Sequence, residues 1–223
     1  MKRSELAARI DHTVLGADVS PEQVRQLCGE AARYHFYAVC INPCYLRLAK
    51  GELAETTVLV DVVLGFPLGA TLPQVKAFEA REAARAGADE LDMVINVAAL
   101  KRRDYRAVLQ EIAGVREAVA QSPRQIILKV ILETALLDDQ QKIAGAILAQ
   151  AAGADFVKTS TGFGPGGATV ADVRLLKRTV GPGMGVKAAG GIHDYATALA
   201  LIEAGADRIG ASASLAIIEG APE

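Results

Sequence analysis

Apolar residues recur along this chain in two rhythms. Short runs dense in Val, Ile and Leu, bounded by Gly, Pro or Asp, predict strands at 10–15, 37–41, 57–64, 90–96, 126–132, 155–159, 184–188 and 208–211. Between them, apolar positions three to four residues apart predict helices at 21–34, 72–86, 104–121, 138–152, 170–180 and 194–204. The first of these opens on a Ser20 cap followed by Pro21. Shorter helices are expected at 43–50 and 215–219, and the charged start, Met1 to Asp11, has the pattern of a short amphipathic helix.

One phrase repeats. A small-residue helix end followed by Gly-Ala-Asp and a strand occurs at 86–89, 152–155 and 204–207. Glycine just past a helix can take the left-handed conformation that closes it, so each copy is a helix-to-strand joint. Strand–helix alternation with short joints demands parallel strands and right-handed crossovers. Eight such units in a chain of 223 residues predict a (β/α)8 barrel, one domain over 1–223. A doubly wound nucleotide-binding sheet fits less well, because strand one is followed by Leu15-Gly16-Ala17-Asp18 and no G-x-G-x-x-G.

Barrels carry their chemistry at the C-terminal ends of the strands. Three successive strands there bear a lysine, Lys129, Lys158 and Lys187, spaced 29 residues apart both times. One such lysine is ordinarily a strand-end residue with a solvated head. Three in register, on strands ~4.8 Å apart, bring ammonium groups together inside a barrel. Mutual repulsion and burial are both expected to lower a lysine pKa, and a value of ~7–8 leaves a tenth to a half as neutral amine. A neutral amine beside a cation suits imine formation on a carbonyl. Lys158 lies nearest its strand end and is the economical nucleophile, Lys187 its charge partner, and Lys129, deeper, an ion-pairing residue of the inner wall. Asp92, with Val94 and Asn96 on one strand face, is expected either to pair with Lys129 or to carry a proton beside the imine. Asp11 and Glu133 are weaker inward candidates.

The loops after strands six to eight, at 160–167, 190–191 and 210–214, are rich in Gly and Ser and suit a phosphate held by backbone amides. Composition narrows the rest. Lysine plus arginine (24) nearly balance aspartate plus glutamate (26), which argues against a nucleic-acid or anionic-membrane surface. Alanine (41) and glycine (21) abound, while aromatics are 4% with no Trp, so a ligand must be held by backbone amides and a few polar side chains. Three cysteines without a C-x-x-C argue for a reducing, cytoplasmic setting, and no apolar run reaches the ~18 residues of a membrane span. His12, His35 and His193 are scattered, and no His/Asp/Glu group has metal-ligand spacing.

At these residues the chain resembles the deoxyribose-phosphate aldolases. The phrases carrying the likeness are I-D-H-T-V-L from Ile10, A-V-C-I-N-P from Ala38, E-L-D-M-V-I-N from Glu90, K-V-I-L-E-T from Lys129, F-V-K-T-S-T-G-F from Phe156 and V-K-A-A-G-G-I from Val186. The resemblance implies a cofactor-independent, Schiff-base-forming (class I) aldolase on a (β/α)8 barrel that cleaves 2-deoxy-D-ribose 5-phosphate to D-glyceraldehyde 3-phosphate and acetaldehyde. It implies Lys158 as Schiff-base residue, Lys187 as its pKa partner and Asp92 as proton carrier. Asp11, Thr13, Cys40, Thr161, Gly162, Gly190, Gly191 and Ser212 would contact substrate, the last four groups of atoms around the phosphate. Where some relatives have a lysine after T-S-T-G, this chain has Phe163. A homodimer or higher homo-oligomer is expected from an apolar surface. The rival readings are a related aldolase using a ketone donor and a non-catalytic binder of phosphorylated ligands.

Overall fold

Eight parallel strands close into a barrel in the order of the sequence, β1 (Ile10–Val14), β2 (Ala38–Ile41), β3 (Leu59–Leu64), β4 (Glu90–Val94), β5 (Ile127–Ile131), β6 (Phe156–Lys158), β7 (Gly185–Ala189) and β8 (Arg208–Ala211), with β8 pairing back onto β1. The structure, a computed structural model, describes residues 1–223. Helices α1 (Arg3–Ala7), α2 (Pro21–Tyr34), α3 (Leu46–Glu52), α4 (Pro73–Arg85), α5 (Val97–Lys101), α6 (Tyr105–Val119), α7 (Asp139–Ala151), α8 (Val170–Val180), α9 (Tyr195–Glu203) and α10 (Ser214–Glu219) ring it. The expected (β/α)8 architecture is therefore the observed one.

Three details depart from the pattern. The N-terminal helix ends at Ala7, because Ile10 and Asp11 pair with β8 and β2. Helix α5 has too few residues to show a period. Its start fixes Asn96, whose side chain accepts a hydrogen bond from Ala99 N (2.9 Å), so Asn96 caps a helix instead of sharing a strand face with Asp92.

The Gly-Ala-Asp repeat has a physical reason. Gly87, Gly153 and Gly205 take φ of 99°, 80° and 116°, which lets each helix end and the chain turn into a strand. The aspartate then grips the preceding strand. Asp89, Asp155 and Asp207 accept the backbone N–H of Val60, Leu128 and Val186 at 2.9, 2.8 and 2.9 Å and pair with Lys50, Arg116 and Lys177 from the helical layer. Each aspartate ties β3 to β4, β5 to β6 or β7 to β8 at the end of the barrel opposite the strand end that carries Lys158. Conserving register there places the side chains at the other end.

Side-chain alternation sends the two halves of each strand to different environments. Outward residues such as Val60, Val62, Leu91, Met93, Leu128, Val130, Val186 and Ile209 join helix residues such as Val108, Ile112 and Leu176 in one apolar cluster. The inward residues are charged, and they build the site.

Candidate functional site in the barrel interior

Barrel interiors are ordinarily packed with branched apolar side chains. Here four acids and four bases fill the axis: Asp11, Asp61, Glu90 and Asp92 with Lys129, Lys158, Lys187 and Arg208, all buried. Register explains the meeting, since Lys158 pairs with Lys187, Asp92 with Lys129, Asp61 with Glu90 and Lys187 with Arg208 across neighbouring strands. At the floor, Arg208 holds Glu90 through two contacts of 2.6 and 2.7 Å while its guanidinium lies 3.3 Å from the centre of the Tyr37 ring. Lys129 reaches Glu90 (2.6 Å), Asp92 (2.9 Å) and Asp61 (3.0 Å). Lys187 reaches Asp11 (2.5 Å), Asp92 (2.7 Å) and Asp61 (2.9 Å). Lys158 has one carboxylate, the Asp92 Oδ2 at 2.7 Å, which is also the oxygen that Lys187 holds.

These contacts overturn part of the electrostatic expectation. Burial works to lower the pKa of Lys129 and Lys187, but for Lys129 the carboxylates of Asp61, Asp92 and Glu90, and for Lys187 those of Asp11, Asp61 and Asp92, outweigh it and hold both well above the ordinary lysine range. Both are fixed cations. Lysines alone would repel one another; interleaved acids reverse the sign. Burial likewise works to raise the Asp92 carboxyl, yet Lys129, Lys158 and Lys187 hold it well below the usual carboxylate range. Asp61 goes the other way, pushed up to about 6 by burial and by the neighbouring Asp92.

Above the lattice opens a cavity of about 440 Å³ lined by Thr13, Lys158, Thr161, Gly162, Phe163, Gly190, Gly191, His193 and Ser212 among others. Of the three strand lysines only Lys158 lines it; its side chain is 3% exposed and those of Lys129 and Lys187 are 0%. The backbone turns after β6 and β7 are pressed together: Ala168 N donates to Gly190 O (3.0 Å), and a Cβ on Gly167 would sit 2.2 Å from that oxygen. Thr13, Thr161, Gly162, Gly190, Gly191 and Ser212 thus gather round the mouth. Asp11 and Cys40 do not line it. Asp11 lies deeper, between Lys187 and Arg208, and the Cys40 thiol is buried 3.9 Å from Asp92, its pKa raised well above the ordinary value by burial and by Asp61.

Several buried charged residues escape the sequence pattern. Asp61 is a lone charge in the apolar run T-V-L-V-D-V-V-L, a signal that was available. Glu90 and Arg208 sit at strand starts, where a charge ordinarily means a solvated edge. Glu133, by contrast, is one of the inward candidates of the sequence: it follows β5 in a left-handed conformation (φ 57°) and accepts from both the Thr161 hydroxyl (2.5 Å) and its N–H (3.3 Å), which fixes the loop after Lys158. Lys76 and Glu111 form a buried pair (2.6 Å) outside the barrel, bonding Val94 O and Asn96 N at the end of β4.

A barrel of this kind, with one amine opening on a cavity above a bed of fixed charges, is a scaffold for amine–carbonyl chemistry. Residues 6–220 match the DeoC/LacD family aldolase profile. The chain is 54% identical to a deoxyribose-phosphate aldolase of Enterococcus faecalis over 97% of each chain, and 53% identical to one of Thermococcus kodakarensis over the whole of both. It superimposes with a TM-score of 0.90 on a tetrameric deoxyribose phosphate aldolase of Aeropyrum pernix at 37% identity, covering 97% of this chain and 91% of that one. The chain belongs to the DeoC/LacD family of aldolases.

Proposed function

We propose that this chain reversibly cleaves 2-deoxy-D-ribose 5-phosphate to D-glyceraldehyde 3-phosphate and acetaldehyde, with Lys158 as the residue that forms the imine. The observation that supports the assignment of Lys158 is its position: it alone of the three strand lysines lines the cavity, and it shares Asp92 with a fixed cation. Neutral Lys158 adds to C1 of the open-chain sugar, and loss of water gives the iminium. The C3 hydroxyl then loses its proton, the C2–C3 bond breaks, and its electrons form the enamine while glyceraldehyde 3-phosphate departs. Protonation at C2 and addition of water release acetaldehyde. Asp92, held ionised by Lys129 and Lys187, exchanges protons with the reacting groups through a water, and Lys187 keeps its charge throughout. Gly162, Gly190, Gly191 and Ser212 hold the phosphate through neutral N–H and O–H donors, and Phe163, packed edge-on against Phe66 at 5.3 Å, forms an apolar lip. Phosphate binding therefore relies on amides where some relatives add a lysine.

Borohydride added with acetaldehyde should attach an ethyl group to Lys158, and a coupled assay should detect glyceraldehyde 3-phosphate released from the sugar phosphate. Label on another lysine, or turnover with a ketone donor in place of acetaldehyde, overturns the assignment. Exposed Leu68, Leu72, Val75 and Phe78, three of them at or on α4, support self-association, which light scattering would measure. No helix is long and apolar enough to cross a membrane, and the three unpaired cysteines fit a reducing compartment such as the cytoplasm.

A further inference from the structure

Imine formation poses a problem of charge in this interior. With Lys158 protonated, Asp11, Asp61, Glu90 and Asp92 balance Lys129, Lys158, Lys187 and Arg208, four against four. Lys158 must give up its proton to attack, which would leave four buried carboxylates against three cations. An uncompensated buried charge is costly, so the proton is best kept inside. Later the same proton is needed: the carbinolamine hydroxyl leaves as water only when protonated.

Resting on the function proposed above, we propose that Asp61 stores this proton between the two steps. The path is short. Lys158 passes its proton to Asp92 Oδ2 at 2.7 Å, Lys187 takes it from that oxygen at 2.7 Å while releasing one to Asp61 Oδ2 at 2.9 Å, and Lys187 ends charged as it began. Neutral Lys158 and neutral Asp61 leave three anions with three cations. When the stored proton returns along the same path and leaves with the hydroxyl as water, Lys158 is an iminium cation and Asp61 a carboxylate, four against four again. No proton enters from or escapes to solvent in forming the imine.

Geometry selects Asp61 among the four acids. Arg208 occupies both oxygens of Glu90, and Asp92 is bonded through both of its own. The Asp11 oxygens also lack a hydrogen bond of good geometry, but each faces a cation, Oδ1 the Arg208 guanidinium at 3.2 Å and Oδ2 the Lys187 ammonium at 2.5 Å, so a proton on either would displace one. Asp61 is approached most closely by Lys129 and by Lys187 on the same oxygen, Oδ2, and its buried Oδ1 makes no hydrogen bond, so once Oδ2 has received the proton a half-turn of the carboxyl group exchanges the two oxygens and leaves an unprotonated one facing both lysines. The groups facing it are Cys40 from β2, Glu90 and Asp92 from β4, Lys129 from β5, Lys187 from β7 and Asp11 from β1. Burial and Asp92 raise its carboxyl toward neutrality, as a store filled and emptied near pH 7 requires. Asp61 never touches substrate in this scheme; it is a positioning residue for a proton.

Lys158→Met freezes the state in which the amine carries no charge. Its infrared spectrum at pH 8 should show one protonated carboxyl that the wild type lacks at that pH and that Lys158→Met with Asp61→Asn lacks as well. In otherwise wild-type protein, Asp61→Asn should slow imine formation from acetaldehyde about tenfold or more at pH 7 and make its rate rise with the concentration of imidazole buffer, since the proton must now be exchanged with solvent. Absence of the protonated carboxyl in Lys158→Met, its persistence in the double variant, or a rate loss in Asp61→Asn indifferent to buffer overturns the inference. The infrared test does not depend on turnover, so it stands apart from the function: wild-type protein that fails to trap acetaldehyde at Lys158 overturns the proposed activity instead.

Discussion

Glu90 and Asp92 face the barrel axis while Leu91 and Met93, between and beyond them on β4, face the helices. The two faces of one strand obey different rules. Outside, burial of aliphatic groups stabilises the fold, and each residue is replaceable by another of similar shape. Inside, eight charges have been desolvated, and their mutual attraction does little more than offset that cost. An interior of leucines and valines would serve stability at least as well. Its replacement by a charge lattice is intelligible as chemistry: it fixes two cations and one low-pKa carboxylate beside a single accessible amine.

The inner face should therefore fail in function first. Asp92→Asn removes the carboxylate that Lys129, Lys158 and Lys187 share, and leaves three acids with four bases. We expect kcat/KM for deoxyribose 5-phosphate to fall by about 10²- to 10⁴-fold. Steady-state kinetics at saturating and limiting substrate measure it. Less than a threefold loss, about 0.65 kcal/mol, would remove Asp92 from the reaction and make the lattice purely architectural.

Its neighbour on the outer face should fail in the opposite order. Leu91→Ala opens a cavity in the sheet–helix layer and should cost about 2–5 kcal/mol in urea unfolding, while ethyl labelling of Lys158 in the folded fraction continues. If Leu91→Ala abolished labelling while stability held, the division between faces would be wrong.

How much of this division the sequence displays depends on which face a residue takes. The barrel is legible because eight apolar runs alternate with helical periods, and the Gly-Ala-Asp joints announce the helix ends. Lys129, Lys158 and Lys187 are legible because a lysine inside V-K or L-K-V stands against its neighbours. The signs of their pKa shifts are not, since they depend on Asp61 and Glu90, whose approach is set by barrel closure between strands remote in the chain. Asp11 and Cys40 show the same limit: alternation puts them on the inner face, but depth along the axis decides whether they meet substrate or an ion pair. Lys76 and Glu111 are less legible still, as charged residues on helices usually face water and nothing local says that these two close over the end of β4.

Protons distinguish the faces most finely, because one buried group on each responds to pH with opposite sign. On the outer side His12 is packed against Phe36, bonded to Ser214 (3.0 Å) and Glu30 (2.8 Å), and burial lowers its pKa below the ordinary 6.5 despite Glu30. Its neutral form is favoured by folding, so its contribution to stability is full above pH 6.5 and is lost as pH falls through the lowered value. On the inner side Asp61, raised from 3.8 to about 6, favours the protonated form when folded. Its contribution is full below about pH 3.8 and is lost as pH rises through 6. Urea unfolding at pH 5, 6, 7 and 8 should show the advantage of wild type over His12→Asn growing with pH, and that of wild type over Asp61→Asn shrinking over the same range. Differences that run parallel for the two variants would mean that the inner lattice holds Asp61 ionised and has no place to keep a proton.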